Sequence, residues 1–334
     1  MVRLRKVSPS MPGWTRRGAG SGFAYTDDEG SRVPADEVER IKSLAIPPAW
    51  RDVWICPLPN GHIQATGLDA KARKQYLYHP DWRTKRDQQK FDRVTKIAAE
   101  LAKTRASVAE HLVLEGMPLE RAAATAVRLL DLGYFRIGSD AYADENGSFG
   151  LTTLERRHVS RRGDKLVFSF VGKSGVEHSI EIEDALSIAS VEAMRKRRSK
   201  DERLMAYQEV RRWLTLDAAR VNEYLAESTG GDMTAKDFRT WHATVLAAAT
   251  LAASDEPGNT KASRQRAVRD AMVTVSEYLG NTPAIAKASY VDPRVLDLYD
   301  GGTTIASAVR RRYKTPEERQ AGLERAVLRM LKNA

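Results

Sequence analysis

Four residues of this chain have the types and settings that phosphoryl transfer requires. Tyr290 lies in the run LGNTPAIAKASYVDPRV (279–295), downstream of a Gly-Asn-Thr-Pro turn. One tyrosine among eleven carries little weight alone, but three basic residues stand upstream: Arg136 in YFRIGSD, Lys173 in FVGKSG and Arg239 in KDFRTWH. Attack on a phosphodiester needs a nucleophile in line with the leaving oxygen and positive charge on the non-bridging oxygens. Tyr290 supplies a nucleophile whose phosphotyrosine product conserves the bond energy, so the chemistry needs no ATP. Arg136 and Arg239 present planar forks suited to phosphate, and Lys173 is a candidate acid for the departing 5′ oxygen. No carboxylate or histidine is placed by sequence to deprotonate Tyr290. Together the four positions point to tyrosine-based phosphoryl transfer on nucleic acid.

Each position also has a plainer reading. An arginine among apolar neighbours, as Arg136 is, defaults to an internal ion pair because an unpaired buried charge is costly. Lys173 by itself is a solvated turn lysine. Gly172-Lys173-Ser174 resembles the end of a phosphate-binding P-loop, but Val167 stands where that motif needs glycine, and a strand pattern follows instead of a helix.

The elements that must position these residues divide the chain in two. The first ninety residues read mostly as strand. GFAYTDDEGSRV (22–33) forms a hairpin, PADEVERIKSLA (34–45) a short helix, and Asn60-Gly61 a tight turn between two β-favouring runs, with the last strand ending near Pro80. In that last strand Tyr76 and Tyr78 point to one face. From Phe91 apolar residues recur at helical spacing in two stretches separated by Gly116-Met117-Pro118. Residues 150–183 change to period two, an antiparallel meander with turns at 162–164 and 173–175. Further helices are expected over 234–250, 264–280 and 316–331, with a loop in SDEPGNTKAS (254–263). Arg239 and His242 share a helix face, and His242 has no metal-ligand partner at useful spacing. The fold class is α+β: a β-rich domain over 1–88 and a mainly helical domain over 89–334 with the meander inserted.

Composition narrows the partners. The 54 Lys+Arg exceed the 44 Asp+Glu, for a net charge of +10, which favours a polyanion because phosphate contacts release counterions. The basic cluster Arg195–Lys200 fits that, although charge runs are usually solvated. A single cysteine, Cys56, excludes an internal disulfide framework and a cysteine-based zinc site, and reads as a buried thiol. No apolar run approaches the roughly 20 residues that span a bilayer. The basic start, MVRLRKVSPSMPGW, lacks the apolar centre of a signal peptide and reads as a flexible arm on a cytoplasmic protein.

The assembled motifs carry a resemblance. With RIKSLAIPPAW (40–50), GHIQATG (61–67), RKQYLYHPDWR (73–83) and KFDR (90–93), the chain resembles type IB DNA topoisomerases of the small poxvirus-like form, from about Gly22 to Val295. That resemblance implies a bilobed clamp around duplex DNA that relaxes supercoils by transient cutting of one strand, without ATP, metal or other cofactor. It implies a monomer acting on double-stranded DNA, nucleoid-associated and away from the membrane. By position it makes Arg136, Lys173, Arg239 and Tyr290 the catalytic residues, and Gln75, Tyr76 and Tyr78 contacts to the major groove. At Asn281 the chain departs from the histidine usual in the family. Asparagine keeps a neutral N–H donor but cannot become cationic. Ser139 and Asp140 follow the FRIG motif where relatives often carry lysine.

Other classes fit less well. A tyrosine recombinase would place His near the second arginine in an RHxxR-like pattern, which RTWHATV does not supply. A non-catalytic DNA-binding protein leaves the Arg, Lys, Arg and Tyr settings unexplained. A type IA topoisomerase needs an acidic DxD cluster, which is not found.

Overall fold

The computed structural model describes residues 2–140, 143, 147–231, 233–254 and 260–333. Residues 255–259 of the expected 254–263 loop therefore lie outside the described residues. The chain forms two compact units, Met1–Phe91 and Asp92–Ala334, within an α+β fold.

The first unit is built on a five-stranded antiparallel sheet ordered β2-β1-β3-β4-β5. Its strands are β1 (Trp14–Ala19), β2 (Gly22–Thr26), β3 (Arg51–Ile55), β4 (Ile63–Leu68) and β5 (Lys74–Tyr78). After β2 the Asp27 carboxylate accepts the N–H groups of Glu29 and Ser31 at 3.1 and 2.7 Å, an aspartate-centred turn of the kind that side chain favours. Helix α1 (Ala35–Ser43) buries Ile41 with Val33, Ile46, Val53, Ile55 and Ala65. The IPPAW segment is pinned by Arg16, which donates to the carbonyls of Ile46, Pro47 and Trp50 at 3.1, 3.0 and 2.8 Å.

Two local expectations are corrected here. The basic start is docked rather than a free arm: Arg5 exchanges backbone hydrogen bonds with Asn60 and His62 at 2.9 Å. Val7 is buried with Cys56 and Ile63, and that apolar contact offsets the entropy of ordering the segment. Helix α2 runs over Pro80–Leu112, eleven residues earlier than the expected start at Phe91. Its first turns are charged on every side, so no apolar stripe announces them. Pro80 opens the helix, where a missing N–H costs nothing, and His79 Nδ1 accepts from the Asp81 N–H at 3.1 Å.

In the second unit, α3 (Leu119–Gly133) is almost wholly buried. The meander is observed as β6 (Val159–Arg162), β7 (Lys165–Val171) and β8 (Glu177–Ile182) in order. Around α3 pack α4 (Ala185–Lys196), α5 (Ala218–Thr229) and α6 (Ala235–Ala253). The later helices are α7 (Lys261–Leu279), α8 (Pro283–Ser289), α9 (Pro293–Asp300), α10 (Ala306–Arg310) and α11 (Pro316–Lys332). A second hairpin, β9 (Ala206–Glu209) with β10 (Arg212–Thr215), was not anticipated. One apolar core serves the whole unit, from Val94 of α2 to Leu331 of α11. No helix among the described residues is long and apolar enough to cross a membrane.

Buried charge knits these helices together. Arg105 of α2 donates to both oxygens of Asp131 at 2.7 and 2.8 Å and to both oxygens of Glu324 at 2.7 and 2.9 Å. His242 Nε2 meets the same Asp131 at 3.0 Å. At the start of α6, Asp237 accepts from the Thr234 N–H and from the Arg93 fork at 2.8 and 2.6 Å.

Candidate active site

Arg136 lies three residues beyond α3. Tyr134 turns the chain there in a left-handed conformation, φ 56°, and the segment then zips onto the turn at 150–153. The Arg136 and Ile137 carbonyls accept the N–H groups of Leu151 and Thr152, both at 2.8 Å. The register needs glycine on both sides, since a Cβ at Gly150 would lie 2.5 Å from the Gly138 Cα.

Helix α7 ends on Gly280 in a left-handed cap, φ 57°. Helix C-termini leave carbonyls unsatisfied and carry partial negative charge. Two of them are taken up here by guanidinium groups: Leu279 O accepts from Arg239 at 2.7 Å and Gly280 O from Arg136 at 3.0 Å. Arg239, buried on α6, also donates to Tyr134 O. Both arginines are thus fixed by backbone, and neither has a carboxylate partner among the described residues, contrary to the default expected for Arg136. Burial lowers the pKa of Arg136, partly offset by Tyr290. Burial and then the Arg136 charge lower that of Arg239, with Tyr290 opposing. A guanidinium stays charged in spite of such shifts, so the pair holds positive charge in want of an anion.

Tyr290 caps the C-terminal end of α8. Its N–H reaches Ala286 O at 3.0 Å, and its carbonyl accepts from Thr244 of α6 at 3.3 Å. The Arg239 guanidinium carbon lies 5.4 Å from its ring centroid. Lys173 sits at the exposed tip of the β7–β8 hairpin, where Ser174 takes φ 66° and Gly172 N–H closes the turn onto Val176 O at 2.7 Å. Asn281 follows the α7 cap. Its amide nitrogen and oxygen are both shielded and without a hydrogen-bond partner among the described residues, a cost of about 1–3 kcal/mol per group that an incoming oxygen would relieve at the nitrogen.

Arg136, Lys173, Arg239, Asn281 and Tyr290 line one cleft of about 720 Å³. Lys236 and Glu277 line it too, and sequence reasoning singled out neither. Lys236 was findable, standing three residues before Arg239 on the same helix face. Also missed was His178, packed behind the hairpin, whose pKa is lowered by burial and then by the charges of Arg136 and Arg239.

The other three expected site residues lie on β5, an edge strand of the first unit. Tyr76 and Tyr78 are 41% and 40% exposed, with stacked rings 5.9 Å apart at 12°. Gln75 alternates to the opposite face, where its amide donates to Asp69 at 2.9 Å. Asp69 also takes the Arg73 guanidinium, and that contact leads in lowering its pKa to about 2.

With this geometry in place, the chain can be compared with known proteins. The family model for the catalytic core of eukaryotic DNA topoisomerase I matches residues 79–308, more than half the chain. That for the N-terminal domain of bacterial DNA topoisomerase IB matches residues 22–69. The chain therefore belongs to the type IB DNA topoisomerase family and is an enzyme of that class. Among its relatives is the DNA topoisomerase 1B of Acanthamoeba polyphaga mimivirus, 28% identical over 298 residues, covering 86% of this chain and 88% of the relative. The DNA topoisomerase 1 of rabbit fibroma virus is 23% identical over 250 residues, with 73% and 74% covered. The DNA topoisomerase 1B of vaccinia virus (strain Copenhagen) is 21% identical over 235 residues, with 70% and 71% covered.

Proposed function

We propose that this enzyme relaxes supercoiled duplex DNA by cutting and resealing one strand through a 3′-phosphotyrosyl intermediate on Tyr290, without ATP or metal. The carrying observation is the convergence of a buried and a half-buried arginine, both held by carbonyls, with a lysine and a tyrosine on one cleft. In this reading the scissile phosphate takes its place against Arg136 and Arg239, whose forks accept its non-bridging oxygens and stabilise charge as it develops. The Asn281 amide adds a neutral donor. The Tyr290 oxygen gives up its proton to solvent and attacks phosphorus, the P–O5′ bond breaks, and Lys173 gives a proton to the leaving 5′ oxygen. The freed 5′-hydroxyl then attacks the phosphotyrosine, returning the proton to Lys173 and releasing Tyr290, which is reprotonated from solvent. One phosphodiester is exchanged for another at each step, so no external energy source enters the balance.

Double-stranded DNA is the partner and a monomer is the working unit. The exposed tyrosine pair of β5 meets base edges and sugars, while lysines and arginines alongside meet phosphates. Gln75 must leave Asp69 to join that contact. The clamp arrangement and nucleoid location follow from the same reading.

Relaxation of negatively supercoiled plasmid in excess chelator, without nucleotide, tests the proposal. Wild type is expected to relax it, and Tyr290→Phe to bind DNA but cut none. Relaxation by the phenylalanine variant would remove Tyr290 from the nucleophile role.

A further inference from the structure

We infer that His178 is a positioning residue whose ring sets the Lys173 hairpin against the end of α7. The inference deepens the proposed reaction and rests on Lys173 serving as its acid. Three contacts carry it. A Cβ at Gly172, the residue before Lys173, would lie 2.6 Å from His178 Cδ2. A Cβ at Gly280, the residue before Asn281, would lie 2.3 Å from His178 Cε1. One imidazole therefore fills the space that two glycines leave open, and those glycines precede two proposed catalytic residues.

The third contact fixes the ring itself. His178 stacks on Phe170, its cross-strand partner, with centroids 5.1 Å apart at 23°. Phe170 stacks in turn on Phe135 at 5.9 Å and 15°. Phe135, fully buried, immediately precedes Arg136. An aromatic column thus runs from the backbone of Arg136 to the imidazole that spaces Lys173 from Asn281. Aromatic stacks hold defined separations, and the Lys173 hairpin tip is otherwise exposed. Without the ring, the hairpin loses its stop against Gly280, and the lysine ammonium is free to sit away from the leaving oxygen.

A merely structural histidine and a positioning one differ in which substrate suffers. A 5′-sulfur leaving group departs as thiolate and needs no acid. His178→Ala is therefore expected to slow single-turnover cleavage of an ordinary phosphodiester about 100-fold, the cost of a displaced catalytic group. Cleavage of the 5′-sulfur substrate should stay within about threefold of wild type, because that step is spared. His178→Phe keeps the column and should restore the ordinary substrate to within about tenfold. Gly172→Ala keeps the imidazole but displaces its ring, so it should show the same selective loss even if His178→Ala fails to fold. Lys173→Ala is run beside them. If it is selective while the His178 and Gly172 variants slow both substrates alike, the inference is overturned. If Lys173→Ala itself slows both substrates equally, the acid assignment fails, and the inference falls with it.

Discussion

Arginines withdrawn from solvent in the second unit hold their charge in two opposite ways. Arg105 sits between two carboxylates, and although burial alone lowers its pKa, hydrogen bonds to Asp131 and Glu324 outweigh it and raise the value. Arg239 is more deeply placed, meets carbonyls and the Tyr290 ring but no carboxylate among the described residues, and its pKa falls. Arg105 is electrostatically complete and joins α2, α3 and α11. Arg136 and Arg239 are anchored but not neutralised. Fixing a cation with helix-end carbonyls gives it position without cancelling its charge, which is what a preorganised phosphate site requires.

Exchange of the two arginines' roles is the sharpest way to break this comparison. Arg105→Met strands two buried carboxylates and should destabilise the fold by about 3–5 kcal/mol. Arg239→Met leaves the Tyr134 and Leu279 carbonyls unpaired but strands no carboxylate, so its denaturant midpoint should fall by less than that of Arg105→Met. Its single-turnover cleavage should fall by at least about 100-fold. A larger stability loss for Arg239→Met than for Arg105→Met would erase the distinction.

Asn281 sharpens it further. Its shielded amide has no partner among the described residues, so Asn281→Leu should leave thermal stability unchanged or slightly higher. Cleavage should drop about tenfold, as one neutral hydrogen bond to the phosphate is lost. A marked fall in melting temperature would instead show that the amide supports the α7–α8 turn.

The smallest expected effect is on pH. His178 and His158 both have lowered pKa values, by burial first and then by nearby arginines. The unfolded chain takes up protons that the folded one refuses, so stability is full above about pH 6.5 and falls as pH drops below it. Around His178 stand Arg136, Arg239, Glu177, Glu181, Glu277 and Tyr278. Burial and the two arginine charges all act in the same direction on His178. Melting curves between pH 7.5 and 5 should decline, and His178→Phe should flatten that decline; identical slopes for both proteins would discount His178.

What was legible in the sequence had local causes. Asn60-Gly61, Arg162-Gly163-Asp164 and Lys173-Ser174-Gly175 announce their turns by residue type, so the meander and the strands either side of Asn60-Gly61 could be read directly, whereas β1 was not expected. Arg136, Lys173, Arg239 and Tyr290 were found because each stands in a distinctive short string. The β9–β10 hairpin was invisible because its tip, Glu209-Val210-Arg211, has no turn-forming residue. Val210 adopts φ 56° there, which a β-branched residue rarely does. The role of His178 was hidden for a different reason. The two glycines that frame it, Gly172 and Gly280, come together only through tertiary packing, and no periodicity encodes that. The shielding of Asn281 likewise depends on how α7 ends, not on the GNTP string.

Cys56 has a practical use that its place in the first unit's core makes available. Burial raises its pKa, outweighing the Leu58 N–H and the Arg40 charge, so little reactive thiolate exists in the native state. No other thiol occurs in the chain. Alkylation under native conditions therefore times the transient openings of the N-terminal unit alone. A cysteine introduced on the surface of the second unit would take a fluorophore while Cys56 stays silent, giving single-site labelling without removing any native residue.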